Sequence, residues 1–422
     1  MFRTGLQTPS GRGNCFLCLC RENDLEKNVS DGVANPVRQG KLELERKLEF
    51  EREYPVASRK TIRQGYFILK SKLKPSNLKN IKRLLIRSAN WIGDAVMTVP
   101  AVRAIRKNFP HADISILAKP WVAPVFENSS HIDETVIYDA AGRHKGFAGK
   151  FRLARDLKRY DFDAAILFQN AFEAAFITFL AGIPNRIGYD TDGRSLFLTH
   201  AVSCTSDMKK IHQIEYYLGI LQGTGLRTDG QHLELEISDR ERHHAGEILR
   251  QNGVSQIGRI VGINPGATFG SAKRWFPERY AALCQRLQNA DISNILVFGG
   301  PGEAALGRQI CEMIGKNCIS LCGKTTLREA MTLIGKCHLF VTNDSGLMHI
   351  AAALDVPQIA IFGPTDHLTT SPASSESHIV RVPAPCSPCL RPDCPEEHHR
   401  CMKEITVDMV YEMAKSVISV RV

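Results

Sequence analysis

Two rhythms of apolar and polar positions run along the chain, and both become regular from Ile81. Short apolar runs suited to buried strands alternate with stretches whose apolar residues return at the period of a helix. In the first series the predicted strands are Arg83–Ser88, Asp113–Ala118, Glu134–Tyr138 and Ala164–Phe168. Helices are predicted between and after them at Asp94–Asn108, Pro120–Glu127, Lys150–Tyr160 and Phe172–Ala181. A further helix, Ser238–Asn252, opens with Ser238 as cap and Glu241 in the position that completes a capping box. A second series then follows. Its strands are Arg259–Asn264, Asn294–Phe298, Cys318–Leu321, Leu339–Thr342 and Gln358–Phe362. Its helices are Pro277–Asn289, Gly302–Gly315, Leu327–Gly335, Gly346–Leu354 and Val407–Ser419. Strands alternating with helices imply βαβ units and parallel sheets. The fold class is therefore α/β, with two Rossmann-like domains facing each other across a cleft and a changeover near residues 225–255. Ligands of such sheets bind beyond the C-terminal strand ends.

Residues 1–80 do not share this rhythm and are predicted to be a basic, partly disordered extension. The domains expected after it are residues 81–235 and residues 236–422, the latter carrying a Cys-rich loop at 386–401. Charge separates the same parts. The chain has a net charge of +10, and residues 1–87 alone hold 19 Lys and Arg against 9 Asp and Glu. The remainder is neutral, so the globular body is not a nucleic-acid binder. Residues 61–73 mix Ile62, Tyr66, Phe67, Ile68 and Leu69 with Arg63, Lys70 and Lys72. That is the composition of an interfacial helix, or of a helix packed on the first domain with solvated lysines. No apolar run is long enough to span a bilayer, and no export signal precedes the body, so a cytoplasmic protein is expected. The 13 cysteines are then not read as disulfides.

Candidate chemistry lies at the predicted strand ends. The first strand runs into Asn90-Trp91-Ile92-Gly93-Asp94. Gly93 allows a tight turn, and Asp94 is either a general base on the cleft wall or a helix N-cap. Asn264-Pro265-Gly266-Ala267-Thr268, followed by Lys273-Arg274-Trp275, offers backbone N–H groups and two cations to a diphosphate. In Thr342-Asn343-Asp344-Ser345-Gly346-Leu347-Met348-His349 a helix N-terminus makes an anion site, and Asp344 is placed to accept sugar hydroxyls. His349, one turn in, is a ligand contact or a packed helix residue. Phe298-Gly299-Gly300-Pro301-Gly302-Glu303 and Phe362-Gly363-Pro364-Thr365-Asp366 are further strand-end turns. Cys386, Cys389, Cys394 and Cys401 form either a structural metal site or an irregular loop with buried thiols.

Taken in order, LLIRSANWIGDAVMTVPAVRAIR, NPGATFGSAKRWFPERYAAL, VFGGPGE, TNDSGLMHIAAAL, IFGPTD and CSPCLRPDCPEEHHRCM resemble the bacterial ADP-heptose:lipopolysaccharide heptosyltransferases of glycosyltransferase family 9, the type II enzymes most of all. The resemblance covers about residues 81–420. It implies a GT-B fold and an inverting transfer that uses no metal and no cofactor. It implies ADP-heptose as donor and the heptosylated inner core of lipopolysaccharide as acceptor. The place of work would be the cytoplasmic face of the inner membrane, with no nucleic-acid partner. By motif, Asp94 matches the base that deprotonates the acceptor hydroxyl and Lys273 the cation that stabilises the departing diphosphate. Thr268, Arg274, Glu303, Asp344, Ser345, Gly346, Leu347 and His349 match donor-binding positions, and Asn90, Trp91 and Gly93 lie on the acceptor side. Type I and type III relatives use other acceptors. The alternative of a nicotinamide-dependent oxidoreductase would need Gly-x-Gly-x-x-Gly at the first turn with an acid about twenty residues on, and Ser-Ala-Asn-Trp-Ile-Gly-Asp argues against it. A non-catalytic adaptor would depend on the basic arm.

Overall fold

The computed structural model describes residues 78, 80–254, 258–290 and 292–419. The interfacial segment expected at 61–73, the cysteines at 15, 18 and 20, and most of the basic arm lie outside the described residues. The first half runs β1 (Arg83–Arg87), α1 (Ile92–Met97), α2 (Val99–Asn108), β2 (Asp113–Ala118), β3 (Glu134–Ile137) and α3 (Gly146–Lys158). It continues with β4 (Ala164–Leu167), α4 (Phe172–Leu180), β5 (Asn185–Tyr189), β6 (His200–Val202), α5 (Gln213–Gly223) and α6 (Asp239–Gln251). The second half runs β7 (Arg259–Asn264), α7 (Pro277–Gln288), β8 (Ile292–Val297), α8 (Ala304–Ile314), β9 (Cys318–Ser320), α9 (Leu327–Ile334) and β10 (Leu339–Asn343). It ends with α10 (Gly346–Ala353), β11 (Gln358–Phe362), α11 (His367–Thr370), β12 (Ser377–Arg381), α12 (Arg400–Lys403) and α13 (Val407–Ser419).

The strands form two six-stranded parallel sheets, ordered β3-β2-β1-β4-β5-β6 and β12-β11-β10-β7-β8-β9. Counted from its own first strand, each sheet has the same doubly wound order, 3-2-1-4-5-6. Each therefore has one switch point, between β1 and β4 and between β7 and β10. Side chains alternate across a strand, and the core divides accordingly. Leu84 and Ile86 of β1 join one apolar cluster while Leu85 joins another. Val261 and Ile263 of β7 face a third cluster. The cluster holding Leu84 also holds Phe298, Met331, Phe340 and Ile350 of the second half. One apolar layer is thus shared by the facing sides of the two sheets, and each sheet has a private layer behind it. Arg328 on α9 adds a polar tie: its guanidinium donates to the Glu241 carboxylate at 2.6 and 2.8 Å and to Glu236 O at 2.7 Å. Its Nη1 also donates to Pro124 O and Glu127 O in the first half.

Several expectations about elements need correction. The single helix expected at Asp94–Asn108 is two, α1 and α2, joined at Thr98. Pro100 sits in the first turn of α2, and its ring cannot continue a preceding helix. Pro120–Glu127 yields only the short turn Ala123–Val125, because Pro120 and Pro124 interrupt the donor ladder. Three strands went unpredicted, β5, β6 and β12, as did the helices α5, α11 and α12. The Ser238 cap with Glu241 is present as a full capping box, and Arg328 with the Ser238 bonds holds the Glu241 carboxyl down at about 2.

Candidate functional site

Both switch points open onto the same place, where α1 and α10 meet end to end. Each helix begins in the loop at the C-terminal end of a switch-point strand, so its free first-turn N–H groups lie at that sheet edge. The approach is backbone to backbone. A Cβ on Gly93 would stand 2.8 Å from His349 Cδ2 and 3.4 Å from Gly346 Cα. A Cβ on Gly346 would stand 3.2 Å from Ile92 Cβ and 3.3 Å from Gly93 N. Glycine at both positions is what lets the two helix starts touch.

Asp94 lies in the first turn of α1 and does not cap it; the cap position is Trp91, which makes no side-chain cap bond. The Asp94 carboxylate instead accepts a hydrogen bond from the Tyr217 hydroxyl at 3.2 Å. Burial raises its pKa above the usual carboxylate value, the Tyr217 bond lowers it, Asp344 raises it and Lys273 lowers it; the net direction is up. Asp94 therefore feels the second sheet's charges directly. A partly desolvated carboxylate with a raised pKa is suited to taking a proton. Tyr217 is fully buried and its own pKa is pushed far up, chiefly by burial, so it remains a donor.

On the opposite wall, Lys273 Nζ pairs with Asp344 Oδ2 at 2.6 Å. Both side chains are largely buried, and the ammonium also stands 5.0 Å from the Phe269 ring centre. Asn264 Nδ2 donates to Ser345 Oγ at 2.7 Å, and Ser345 Oγ caps Met348 N at 3.4 Å. Asn343 Nδ2 donates to Pro265 O at 2.8 Å, while its Oδ1 accepts from Trp275 N and from the Tyr280 hydroxyl, each at 3.1 Å. These bonds fix the loop after β7 to the loop after β10. His349 is buried, its Nδ1 has no hydrogen-bond partner in the protein, and burial brings its pKa to about 4, so the ring is neutral near pH 7.

The comparisons with known proteins bear on this geometry. A sequence model of glycosyltransferase family 9 (heptosyltransferase) matches residues 150–400, more than half of the chain. The chain belongs to that family. Lipooligosaccharide heptosyltransferase 2 of Campylobacter jejuni is 31% identical over 341 residues, which is 80% of this chain and 98% of that protein. Lipopolysaccharide heptosyltransferase 2 of Salmonella typhimurium is 28% identical over 348 residues, 80% of this chain and 99% of that protein. The solved structure of E. coli ADP-heptose lps heptosyltransferase II superposes with a TM-score of 0.68 at 26% identity, covering 80% of this chain and 99% of that one. As a family 9 member the chain is a GT-B glycosyltransferase.

The remaining predicted residues fall into place unevenly. Arg274 does not join Lys273: it is exposed, and its Nη2 donates to Ala267 O at 3.2 Å. Thr268 is exposed, and Leu347 is half-buried on α10. Glu303 accepts from Gly300 N at 2.8 Å and packs against Gly266 and Gly299, joining two strand-end loops. Trp275 is fully buried, with Nε1 donating to Ile405 O at 2.9 Å. Cys386, Cys389, Cys394 and Cys401 are free thiols lining one cavity with His398 and His399. Among the described residues no three His, Cys, Asp or Glu side chains are arranged to hold a metal ion, so the candidate set lacks a ligand geometry. The loop does brace the Lys273 turn: Ala272 N donates to Pro392 O at 2.9 Å and Ser271 Oγ to Asp393 Oδ1 at 2.6 Å.

The sequence reading missed a polar group at the first sheet's edge. Arg87, buried at the end of β1, donates from Nη2 to Asn90 Oδ1 at 2.8 Å. Trp121 Nε1 donates to Asn90 O at 3.0 Å, and Trp91 and Trp121 are both exposed. Lys119, at the end of β2, is buried with its ammonium 3.6 Å from the Tyr138 ring centre. Burial lowers its pKa, and the Arg87 charge adds to that. Glu173 Oε1 accepts from the Tyr138 hydroxyl at 2.5 Å and its Oε2 pairs with Lys150 at 2.9 Å. The available signal was a cation directly after each of two apolar runs, Arg87 and Lys119. Tyr217 carried no comparable signal, because α5 was not predicted.

Proposed function

We propose that the chain transfers L-glycero-D-manno-heptose from ADP-heptose to the heptosylated inner core of lipopolysaccharide, with inversion at the anomeric carbon. The observation that carries this is the meeting of Asp94, from the first sheet, with the Lys273–Asp344 pair and the α10 N-terminus of the second. Residues 81–235 form the acceptor domain, residues 236–422 the donor domain, and residues 1–80 the extension. Asp94 takes the proton of the acceptor hydroxyl. The oxygen attacks the anomeric carbon on the face opposite ADP, the bond from that carbon to the phosphate oxygen breaks, and ADP leaves with its electron pair. Lys273 and the first-turn N–H groups of α10 stabilise the charge that grows on the diphosphate. Asp344, Ser345, Gly346, Leu347 and His349 hold the donor, with Thr268, Arg274 and Glu303 at the nucleotide. The neutral His349 keeps a buried Nδ1 that has no hydrogen-bond partner in the protein. Asn90, Trp91 and Gly93 meet the acceptor.

The chain works at the cytoplasmic face of the inner membrane, where a lipid-linked acceptor is presented. The type II assignment is tested with purified protein, ADP-heptose and core acceptors that carry or lack the first heptose. Transfer is expected only onto the heptosylated acceptor, in a product of inverted anomeric configuration. Transfer onto the acceptor lacking heptose would assign the chain to the type I reaction instead.

A further inference from the structure

The first sheet carries an exposed aromatic surface that the reaction chemistry does not use. Phe172, Phe176 and Phe179 follow one another along one side of α4. Phe197 packs against all three, with ring centres 5.2, 5.4 and 5.2 Å away. Phe151 of α3 meets Phe176 at 6.3 Å, and Phe147 meets Phe151 at 5.0 Å. The rings thus form one connected group. Phe147, Phe151, Phe172 and Phe179 are 68%, 45%, 43% and 47% exposed, and Leu196 beside Phe197 is 84% exposed. Scattered exposed apolar residues need no explanation, but a contiguous aromatic group on a soluble domain marks an interaction surface.

Its charge restricts the partner. Residues 143–159 hold Arg143, Lys145, Lys150, Arg152, Arg155, Lys158 and Arg159 against the single acid Asp156, which Arg143 already pairs at 2.7 Å. On α3, Phe147, Phe151, Arg155 and Lys158 recur at helical spacing and so share a side. A second copy docked through this face would bring two such helices together, and the like charges would oppose it. A surface that is apolar just below an anionic layer fits both features. Placement agrees, since Phe147 and Phe172 stand at the starts of α3 and α4, on the same sheet edge as Asp94.

We propose that the face built from α3, α4 and the turn at Arg194–Phe197 seats on an anionic lipid bilayer. The Phe rings enter the headgroup–acyl boundary and the α3 cations lie among lipid phosphates. This rests on the proposed function only for the lipid-linked acceptor that makes such a seat useful. The test is sedimentation of the full chain with phosphatidylcholine vesicles made with and without phosphatidylglycerol. Two variants are compared with the parent: Phe147→Ser/Phe151→Ser/Phe179→Ser, and Arg152→Glu/Arg155→Glu/Lys158→Glu. Binding to anionic vesicles is expected to fall at least about ten-fold in the aromatic variant, and the preference for phosphatidylglycerol to fade in the charge variant. Thermal unfolding and transfer to a de-acylated acceptor are expected to stay at parent levels, which separates this proposal from the assigned reaction. Parent-level vesicle binding by the aromatic variant would overturn it, whether or not the charge variant binds less. A lipid-free dimer that only the aromatic variant dissociates, with vesicle binding unchanged, would assign the face to a second copy.

Discussion

The two sheet edges that meet at the site are built differently. The second sheet's edge is closed on itself: Lys273 has Asp344, Asn264 has Ser345, Asn343 ties two loops, and Glu303 holds a third. The first sheet's edge keeps cations under exposed aromatics, with Arg87 and Lys119 buried and Trp91 and Trp121 in solvent. On the proposed reading the closed wall takes the nucleotide sugar, a fixed ligand, and can be preorganised by neutral and ionic bonds made in advance. On the same reading the open wall meets the acceptor, which is large, charged and lipid-linked and calls for apolar surface beside fixed positive charge. The contrast predicts that damage to the donor wall is felt as lost transfer together with lost stability. Damage to the acceptor wall is felt chiefly in catalysis.

Asp94→Asn should have the largest effect. The side chain keeps its shape and loses its basicity, so transfer should fall by roughly 10²–10⁴-fold while ADP still binds. Stability should move the other way. The folded pKa of Asp94 is raised, so its proton favours the fold at low pH, and this contribution is lost as pH rises through the folded value. Near pH 7 the ionised carboxylate opposes folding, and the Asn variant should unfold at an equal or higher Tm. Parent-like turnover would remove Asp94 from the chemistry.

Lys273→Met tests the closed wall. It removes the diphosphate cation and leaves the Asp344 carboxylate buried without its partner. Breaking a buried pair from one side costs about 3–5 kcal/mol, and losing a transition-state charge contact roughly 10²–10³-fold in rate. Adding Asp344→Leu should recover most of the Tm and none of the transfer. Joint recovery of both would show that the pair is structural. Gly93→Ala probes the seam between the walls, where the new methyl meets His349 Cδ2 at 2.8 Å. Overpacking of this kind costs about 1–3 kcal/mol. Gly246→Ala, in α6 with open space around it, should instead add up to about 1 kcal/mol by chemical denaturation.

How much of this was legible follows from how far apart the cooperating residues lie. The second wall is spelled in two short runs, Asn264–Arg274 and Thr342–His349, so its polar residues stand out as motifs. The pairing of Lys273 with Asp344 was not visible, because 71 positions separate them. The alternation revealed both parallel sheets, since strands buried on both faces read as apolar runs. It missed β5, β6 and β12, whose runs are broken by Asn185, Arg186, His200, Ser377 and His378. The Phe group also escaped notice. Phe151 and Phe197 come from different elements, and only packing shows that they belong to one surface.

Tyr217→Phe is the smallest change and the sharpest test of how Asp94 is set. The ring should remain in place, because its edge-on contacts with Phe168 at 5.6 Å and Tyr216 at 5.8 Å do not involve the hydroxyl. Only the bond to Asp94 Oδ1 is removed. That bond favours the charged carboxylate and so opposes the effect of burial. Without it the Asp94 pKa should rise further, and the acidic limb of kcat/KM should move to higher pH. Well above the limb Asp94 is ionised in both proteins, so the rates there should differ by less than about ten-fold, the worth of one hydrogen bond. A packing role alone would lower the whole profile and leave the limb where it was. An unmoved limb would mean that Tyr217 only fills space and that the Asp94 carboxylate is poised by burial and by the charges across the cleft.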